Sequence, residues 1–102
     1  LAVTIALTNN TPIKSVGAGT IIFSDWTPSS GYVVIVRHKD DILSVYKNAA
    51  SVTKSQGNIV RSGEVIALAG NANNVQNSGA TLHFELWKDG FPIDPTQFIN
   101  FN

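Results

Sequence analysis

The residues whose side chains are best suited to catalysis or binding lie in one stretch of alternating polar and apolar residues, Thr81-Leu82-His83-Phe84-Glu85-Leu86-Trp87. Successive side chains of a β-strand point to opposite faces. We therefore expect three of them in a core, Leu82, Phe84 and Leu86, and a groove on the other face lined by Thr81, His83, Glu85 and Trp87. A hydroxyl, an imidazole and a carboxylate in a row are groups from which metal or binding sites are built. From the alternation alone, a half-exposed sheet face is the simpler interpretation.

The rest of the chain offers few other reactive groups. Cysteine is absent, which excludes disulfides and thiolate zinc sites. The second histidine, His38, is interpreted as a structural or surface residue. The available carboxylates are Glu64 and Glu85. No serine triad has sequence support, and the glycines lack phosphate-loop or dinucleotide spacing.

Composition places the 102 residues in one globular domain, residues 1–102. The chain is 43% apolar and 14% charged, and its seven basic and seven acidic residues cancel. This balance gives no basis for binding nucleic acid or anionic membrane. The apolar runs are too short to span a bilayer. Because methionine is absent even at position 1, we expect the C-terminal part of a longer chain, with any signal or anchor upstream.

Short strands separated by turn residues are needed to position the alternating stretch. Six segments rich in β-branched or aromatic residues are predicted as strands: Ala2–Leu7, Gly19–Trp26, Tyr32–His38, Ile42–Lys47, Val65–Ala69 and Leu82–Trp87. Short helices are predicted at Ala49–Ser55 and Pro95–Ile99, and residues 71–79 are expected to be the least structured. Four aromatic residues near strand ends are candidate contact residues, and we expect Trp87 to be the most exposed of Trp26, Tyr32, Trp87 and Phe91.

Several motifs in order along the chain resemble the lysostaphin/LytM family of zinc metallopeptidases. Residues 78–87, SGATLHFELW, are similar to the family strand T-G-P-H-L-H-F-E-(V/L), and DGFPIDP at 89–95 is similar to the ending that follows it. Residues 10–21 resemble G-T-P-V-x-A-x-x-x-G-x-V, and residues 31–46 resemble G-x-x-V-x-I-x-H with a later tyrosine. Residues 60–70, VRSGEVIALAG, resemble the hairpin of barrel-sandwich hybrid folds. The resemblance therefore implies an all-β, LytM-like barrel-sandwich hybrid, a duplicated hybrid motif of short antiparallel strands with little helix.

The resemblance also implies positions for zinc chemistry. In the family, zinc is held by the histidine and aspartate of H-x-G-x-D and by the second histidine of H-x-H. The first histidine of H-x-H and the histidine of Y-x-H serve catalysis. Here the aspartate position is Thr4, and its histidine partner would precede Leu1. The two catalytic positions are Thr81 and Asn48, so His83 is the only retained ligand.

These losses predict a degenerate site. A catalytic zinc needs three protein ligands and an open position for water, whereas a threonine hydroxyl is a weak ligand. Threonine and asparagine do not transfer protons near neutral pH. A stable metal site is therefore not expected at His83 and Thr4, no catalytic residue is expected at Asn48 and Thr81, and no cofactor is expected.

The first functional hypothesis is a pseudoenzyme, a catalytically inactive LytM-like domain that acts as a scaffold or regulator in the bacterial cell envelope. It would activate wall amidases or dock an envelope protein partner or peptidoglycan. The resemblance alone implies an extracytoplasmic location, in the periplasm or at the cell surface. The alternative is an active zinc metalloendopeptidase that cleaves peptidoglycan cross-links with ligands supplied outside the visible chain. A carrier or phosphotransfer domain is a third hypothesis. Lys47 and Lys54 lack the flanking residues of a carrier lysine, and Thr81-Leu82-His83 lacks the histidine pair of a phosphotransfer domain.

Overall fold

A computed structural model describes residues 1–70 and 79–97, and it confirms an all-β chain of short antiparallel strands. The strands are β1 Ala2–Leu7, β2 Pro12–Lys14, β3 Gly19–Thr27, β4 Gly31–Arg37, β5 Ile42–Val52, β6 Ile59–Val60, β7 Val65–Ala69, β8 Ala80–Lys88 and β9 Phe91–Ile93. Two short 3₁₀ turns, Lys39–Asp41 and Pro95–Gln97, are the helical elements in the described ranges. No helix among these residues is both long and apolar enough to cross a membrane.

The strands form one sheet whose main order is β1-β8-β5-β4-β3-β6. Strand β7 pairs with β5 and with β2, and β9 pairs with the end of β8 beyond β1. Consecutive strands β3, β4 and β5 are hairpin neighbours, whereas β8 is inserted between the first strand and the middle of the chain. This topology places β8, which carries the alternating stretch, at the centre of three strands contributed by distant parts of the sequence.

The core lies on one side of β8. Leu82, Phe84 and Leu86 are buried there as predicted, since each points to the same face of the strand. They join buried side chains of β3, β4, β5 and β7, and the Tyr46 ring meets the Phe84 ring edge-on at a centroid distance of 5.3 Å. The opposite face of β8 is left to its polar residues, so packing and chemistry are assigned to different faces of the same strand.

Several predicted boundaries change in the structure. The predicted helix at Ala49–Ser55 is wrong: β5 continues through Ala49 to Val52, where it pairs with β7. Sheet pairing with an apolar neighbour outweighs the helical preference of two consecutive alanines there. Strands β2, β6 and β9 were not predicted because each has only two or three residues. The predicted short helix near the C-terminus corresponds to the 3₁₀ turn Pro95–Gln97, and most of the segment 71–79 lies outside the described residues.

Candidate functional site

The sheet register brings the family positions of the sequence together around His83. On one side Thr4 of β1 lies directly opposite His83, and on the other side Lys47 of β5 does. Directly opposed residues of an antiparallel pair project to the same face. The side chains of Thr4, His83 and Lys47 therefore form a row across three strands, on the face of the sheet away from the core.

A β-bulge in β5 brings a second side chain to this row. Tyr32 and Val34 of β4 lie opposite Ala49 and Tyr46, so β5 has one more residue than β4 between these pairs. Asn48 is located in this interval with a left-handed backbone (φ 72°), and its N–H donates to the carbonyl of Ser30 at 2.7 Å. Bulges bend a strand and re-aim its side chains, often beside functional sites. Lys47 and Asn48 consequently line the same cleft, although they are consecutive.

The two positions that would carry the family's catalytic histidines are bonded to each other. The Asn48 side-chain amide donates to both the carbonyl and the hydroxyl oxygen of Thr81, at 2.9 Å each. Neither group has a proton-transfer function near neutral pH. The pair is partly buried, and its chemistry is that of a cross-strand hydrogen bond between β5 and β8.

An ion pair occupies the neighbouring part of the face. The Lys47 ammonium lies 2.8 Å from one carboxylate oxygen of Glu85, and the Trp87 indole N–H donates to the other at 3.0 Å. Partial burial raises the pKa of Glu85, but the hydrogen bonds from Lys47 and Trp87 and the Lys47 charge outweigh it, so the pKa lies below its usual value. Glu85 is thus an ionised residue engaged at both oxygens, and it supports the wall of the cleft.

These residues border a small polar cleft of about 280 Å³. Its lining consists of Ser29, Ser30, Lys47, Asn48, His83 and Glu85. Of the four predicted groove residues, His83 and Glu85 line the cleft. Thr81 and Trp87 are not part of this lining but are hydrogen-bonded to two residues of it, Asn48 and Glu85. The two serines belong to the turn between β3 and β4 and were missed, because nothing in the turn signal indicates where a loop will fold.

The other histidine lies in a separate polar network. One ring nitrogen of His38 is 2.8 Å from the carbonyl of Ala18, and the other is 2.7 Å from the hydroxyl of buried Ser44. Nearby, the Tyr46 hydroxyl accepts the N–H of Val16 at 3.0 Å, and burial of the ring raises the pKa of Tyr46. These bonds hold the loop between β2 and β3 against β4 and β5, which is a structural role.

The expectation about exposed aromatic residues is wrong. Trp87 is only partly exposed, and its indole N–H donates to Glu85. Trp26 and Phe91 are the most exposed of the four candidates, at 55% and 72%. Tyr32 is half-buried against the core. Strand alternation identified the face of Trp87 but not the partner that covers it.

Comparison with known proteins assigns the chain to a family. The sequence model of one protein family, peptidase family M23, matches residues 1–95. The chain belongs to that family. Membership confirms the LytM-type identification and the barrel-sandwich fold class, because the M23 match extends over all the strands described above.

Relatives of this M23 chain include proteins whose names describe different functions. It is 35% identical over 83 residues to stage II sporulation protein Q of Bacillus subtilis, a match that covers 81% of the chain and 29% of the relative. It is 30% identical over 95 residues to the murein hydrolase activator EnvC of Escherichia coli, covering 93% and 22%. A chain of the solved SpoIIIAH–SpoIIQ complex aligns with a TM-score of 0.78 at 32% identity, covering 88% and 63%. The chain therefore spans between a fifth and a third of these two curated relatives.

The family implies zinc, and the donors of this M23 chain do not fit it. The row across β1, β8 and β5 offers one imidazole, one neutral hydroxyl and one ammonium, from His83, Thr4 and Lys47. Zinc prefers imidazole, thiolate and carboxylate donors, and it is repelled by a neighbouring positive charge. The nearby carboxylate of Glu85 is already paired with Lys47. Within residues 1–70 and 79–97, no group of three or more histidine, aspartate or glutamate side chains is placed to hold a metal.

Proposed function

We propose that this chain is a catalytically inactive M23 domain that acts as a scaffold or regulator in the bacterial cell envelope. It would dock an envelope protein partner or activate a separate wall hydrolase without cutting peptidoglycan itself. Residues 1–102 would form a single domain for this purpose, in the periplasm or at the cell surface. The proposal requires no cofactor.

The observation that carries the proposal is the bond between Asn48 and Thr81. Metal-dependent hydrolysis needs groups that move protons at the two positions that these residues occupy. Instead, the Asn48 amide satisfies the hydroxyl and the carbonyl of Thr81. A third change, Thr4 opposite His83, removes an anionic ligand from the same face. Three replacements around His83 favour loss of the reaction over a different hydrolytic chemistry.

The ion pair of Lys47 and Glu85 supports the same conclusion. The Lys47 side chain lies beside His83 and places its ammonium group where a metal dication would have to bind. The pair leaves the cleft close to neutral overall and lined by hydrogen-bonding groups. Such a surface suits recognition of a polar partner segment better than it suits metal capture.

Two relatives have names that support a binding or regulatory role. One is a murein hydrolase activator, and one solved neighbour is part of a complex between SpoIIIAH and SpoIIQ. A domain with the M23 fold and without its metal ligands would retain the shape needed to contact another protein. The murein hydrolase activator among these relatives supports the proposed envelope location of this chain.

Metal content tests the proposal directly. The purified protein is equilibrated with zinc and desalted, and its zinc content is then measured by elemental mass spectrometry. We expect far less than one zinc per chain. One tightly bound zinc per chain would overturn the proposal. The triple variant Thr4→Asp, Asn48→His, Thr81→His restores the family side chains at these positions. It is the matched control, in which zinc retention should increase at least about tenfold because Thr4→Asp adds an anionic ligand opposite His83.

The alternative function is an active zinc metalloendopeptidase that cuts peptidoglycan cross-links, with ligands supplied from outside the visible chain. Family membership and the retained His83 favour it. It predicts release of soluble fragments from purified cell walls. A release that stops with a chelator and with His83→Ala would establish this alternative over the inactive domain.

A further inference from the structure

Among the described residues, strand β1 lies at an edge of the sheet, and the 3₁₀ turn Pro95–Gln97 lies close to it. Strand β1 pairs with β8 in an unbroken register of six residues, from Ala2 opposite Glu85 to Leu7 opposite Ala80. No other described strand pairs with its outer side. Its sequence, Ala-Val-Thr-Ile-Ala-Leu, contains no charge and no proline, and its pairing shows no bulge. The outer N–H and C=O groups of such an edge are a template for another strand.

The remaining outer strands of the sheet are protected by familiar means. Strand β6 has two residues, and β9 has three with Pro92 in the middle. Strand β2 begins with Pro12, carries Lys14 and has a register shift. Short length, proline, lysine and irregular pairing all oppose edge-to-edge association. The longer strand β1 has none of these features, which suggests that its edge is used.

The pattern of β1 matches a second copy of itself. Its residues alternate between half-buried apolar side chains on the core face and exposed small side chains, Ala2, Thr4 and Ala6, on the cleft face. Neighbours across an antiparallel pair must share a face. A register with Thr4 opposite Thr4 obeys this rule and opposes Ala2 with Ala6 and Val3 with Ile5. It also places Leu1, which is 72% exposed, against Leu7 of the other copy.

We propose that β1 pairs antiparallel with β1 of a second copy about a two-fold axis at Thr4. The contact is isologous, so that each copy contributes the same surface. Every opposed pair in this register is apolar with apolar, small with small, or threonine with threonine, and no like charges meet. The two sheets become one, and because the axis is perpendicular to the sheet, both clefts open on the same side. The pairing does not depend on whether the cleft binds a partner.

Self-association of the full-length protein tests this pairing by sedimentation equilibrium. A single strand pair buries a small interface, so we expect a dimer that dissociates on dilution in the micromolar range. Thr4→Lys places two ammonium groups at the axis and should weaken association at least about tenfold. Ser62→Lys, in an exposed turn distant from β1 in sequence, is the control with the same charge change and should leave association unchanged. A wild type that remains monomeric at about 1 mM, or an undiminished Thr4→Lys dimer, overturns the proposal.

Cysteine cross-linking tests the register independently of affinity. The chain has no cysteine, so a single introduced thiol reports one position. Thr4→Cys places two thiols face to face at the axis, at a separation that a disulfide spans with little adjustment, and mild oxidation should give a covalent dimer. Ile5→Cys faces Val3 in this register and should stay uncross-linked. Cross-linking of Ile5→Cys in preference to Thr4→Cys, or of neither, refutes the register.

Discussion

The bond from Asn48 to Thr81 predicts an unusual order of stability among substitutions at position 48. Asn48 combines a left-handed backbone with two side-chain hydrogen bonds, and these two properties respond differently to alanine and glycine. Both substitutions remove the hydrogen bonds, whereas only alanine keeps a Cβ in the left-handed region. We therefore predict that Asn48→Ala destabilises the fold more than Asn48→Gly does.

The magnitude follows from the two contributions. Two partly buried hydrogen bonds at about 0.5–1.5 kcal/mol each give a loss of roughly 1–3 kcal/mol in either variant. Alanine adds about 1–2 kcal/mol for a left-handed backbone, and glycine adds about 0.5–1 kcal/mol for the greater freedom of its unfolded chain. The expected totals are roughly 2–5 kcal/mol for alanine and 1.5–4 kcal/mol for glycine, with a difference of about 0.5–1 kcal/mol in favour of glycine.

Urea unfolding followed by circular dichroism measures this difference, provided that the slopes of the two variants agree. Thr81→Ala removes only the hydroxyl acceptor and leaves the carbonyl, so it should cost less than either substitution at position 48. If alanine at position 48 proves as stable as glycine, the left-handed bulge is not imposed by the sheet. If all three variants match the wild type, the bond is not a structural contact and its role in replacing catalytic groups has to be reconsidered.

Three further predictions concern other contacts of the fold. Lys47→Met should lower the free energy of unfolding by about 1 kcal/mol near pH 7. The pKa of Glu85 in the folded protein lies below its ordinary value of about 4.5, so the difference in unfolding free energy between Lys47→Met and wild type should vanish as the pH falls below that value. A difference that persists at pH 2 contradicts the ion pair. Tyr46→Phe removes the acceptor of the Val16 N–H and should lower the free energy of unfolding in urea by about 1–2 kcal/mol. The control Tyr32→Phe should lower it by less than about 0.5 kcal/mol. Equal losses in the two variants would refute the bond to Val16. Gly19→Ala should lower the unfolding free energy by at least about 3 kcal/mol in thermal melts because its Cβ would overlap the Arg37 carbonyl. Gly17→Ala, whose Cβ would lie 3.3 Å from His38, should be mild, and a reversed order would contradict the packing.

Strand existence and the faces of β8 could be predicted from the sequence, because both depend on local alternation. The bounds of β1 and β7 agree with the structure, and Leu82, Phe84 and Leu86 are buried as expected. Alternation is reliable here because one face of β8 packs against a continuous core while the other is polar. Resemblance to the family supplied the identity of the positions Thr4, Asn48, Thr81 and His83.

The cleft itself could not be predicted in full, because its shape depends on contacts between distant segments. The bulge at Asn48 has no local sequence signal beyond the tolerance of asparagine for a left-handed backbone. The proximity of Lys47 to Glu85 depends on the register of β5 against β8, and that of Ser29 and Ser30 depends on how one turn folds over the sheet. The exposure of Trp26 and the bond from Trp87 to Glu85 likewise depend on the folded arrangement and not on local sequence.

The separation of the two faces of β8 has a consequence for how such a domain diverges. Thr4 and His83 are exposed, and Asn48 and Thr81 lie outside the hydrophobic core cluster, so substitutions there leave the packing of Leu82, Phe84 and Leu86 intact. A protein with this arrangement exchanges groups of its polar face without repacking its core. The stability cost of such exchanges lies in local contacts, such as the bond from Asn48 to Thr81, and not in the packing of the core. The same scaffold is accordingly available to lineages that keep the reaction and to lineages that keep only the shape.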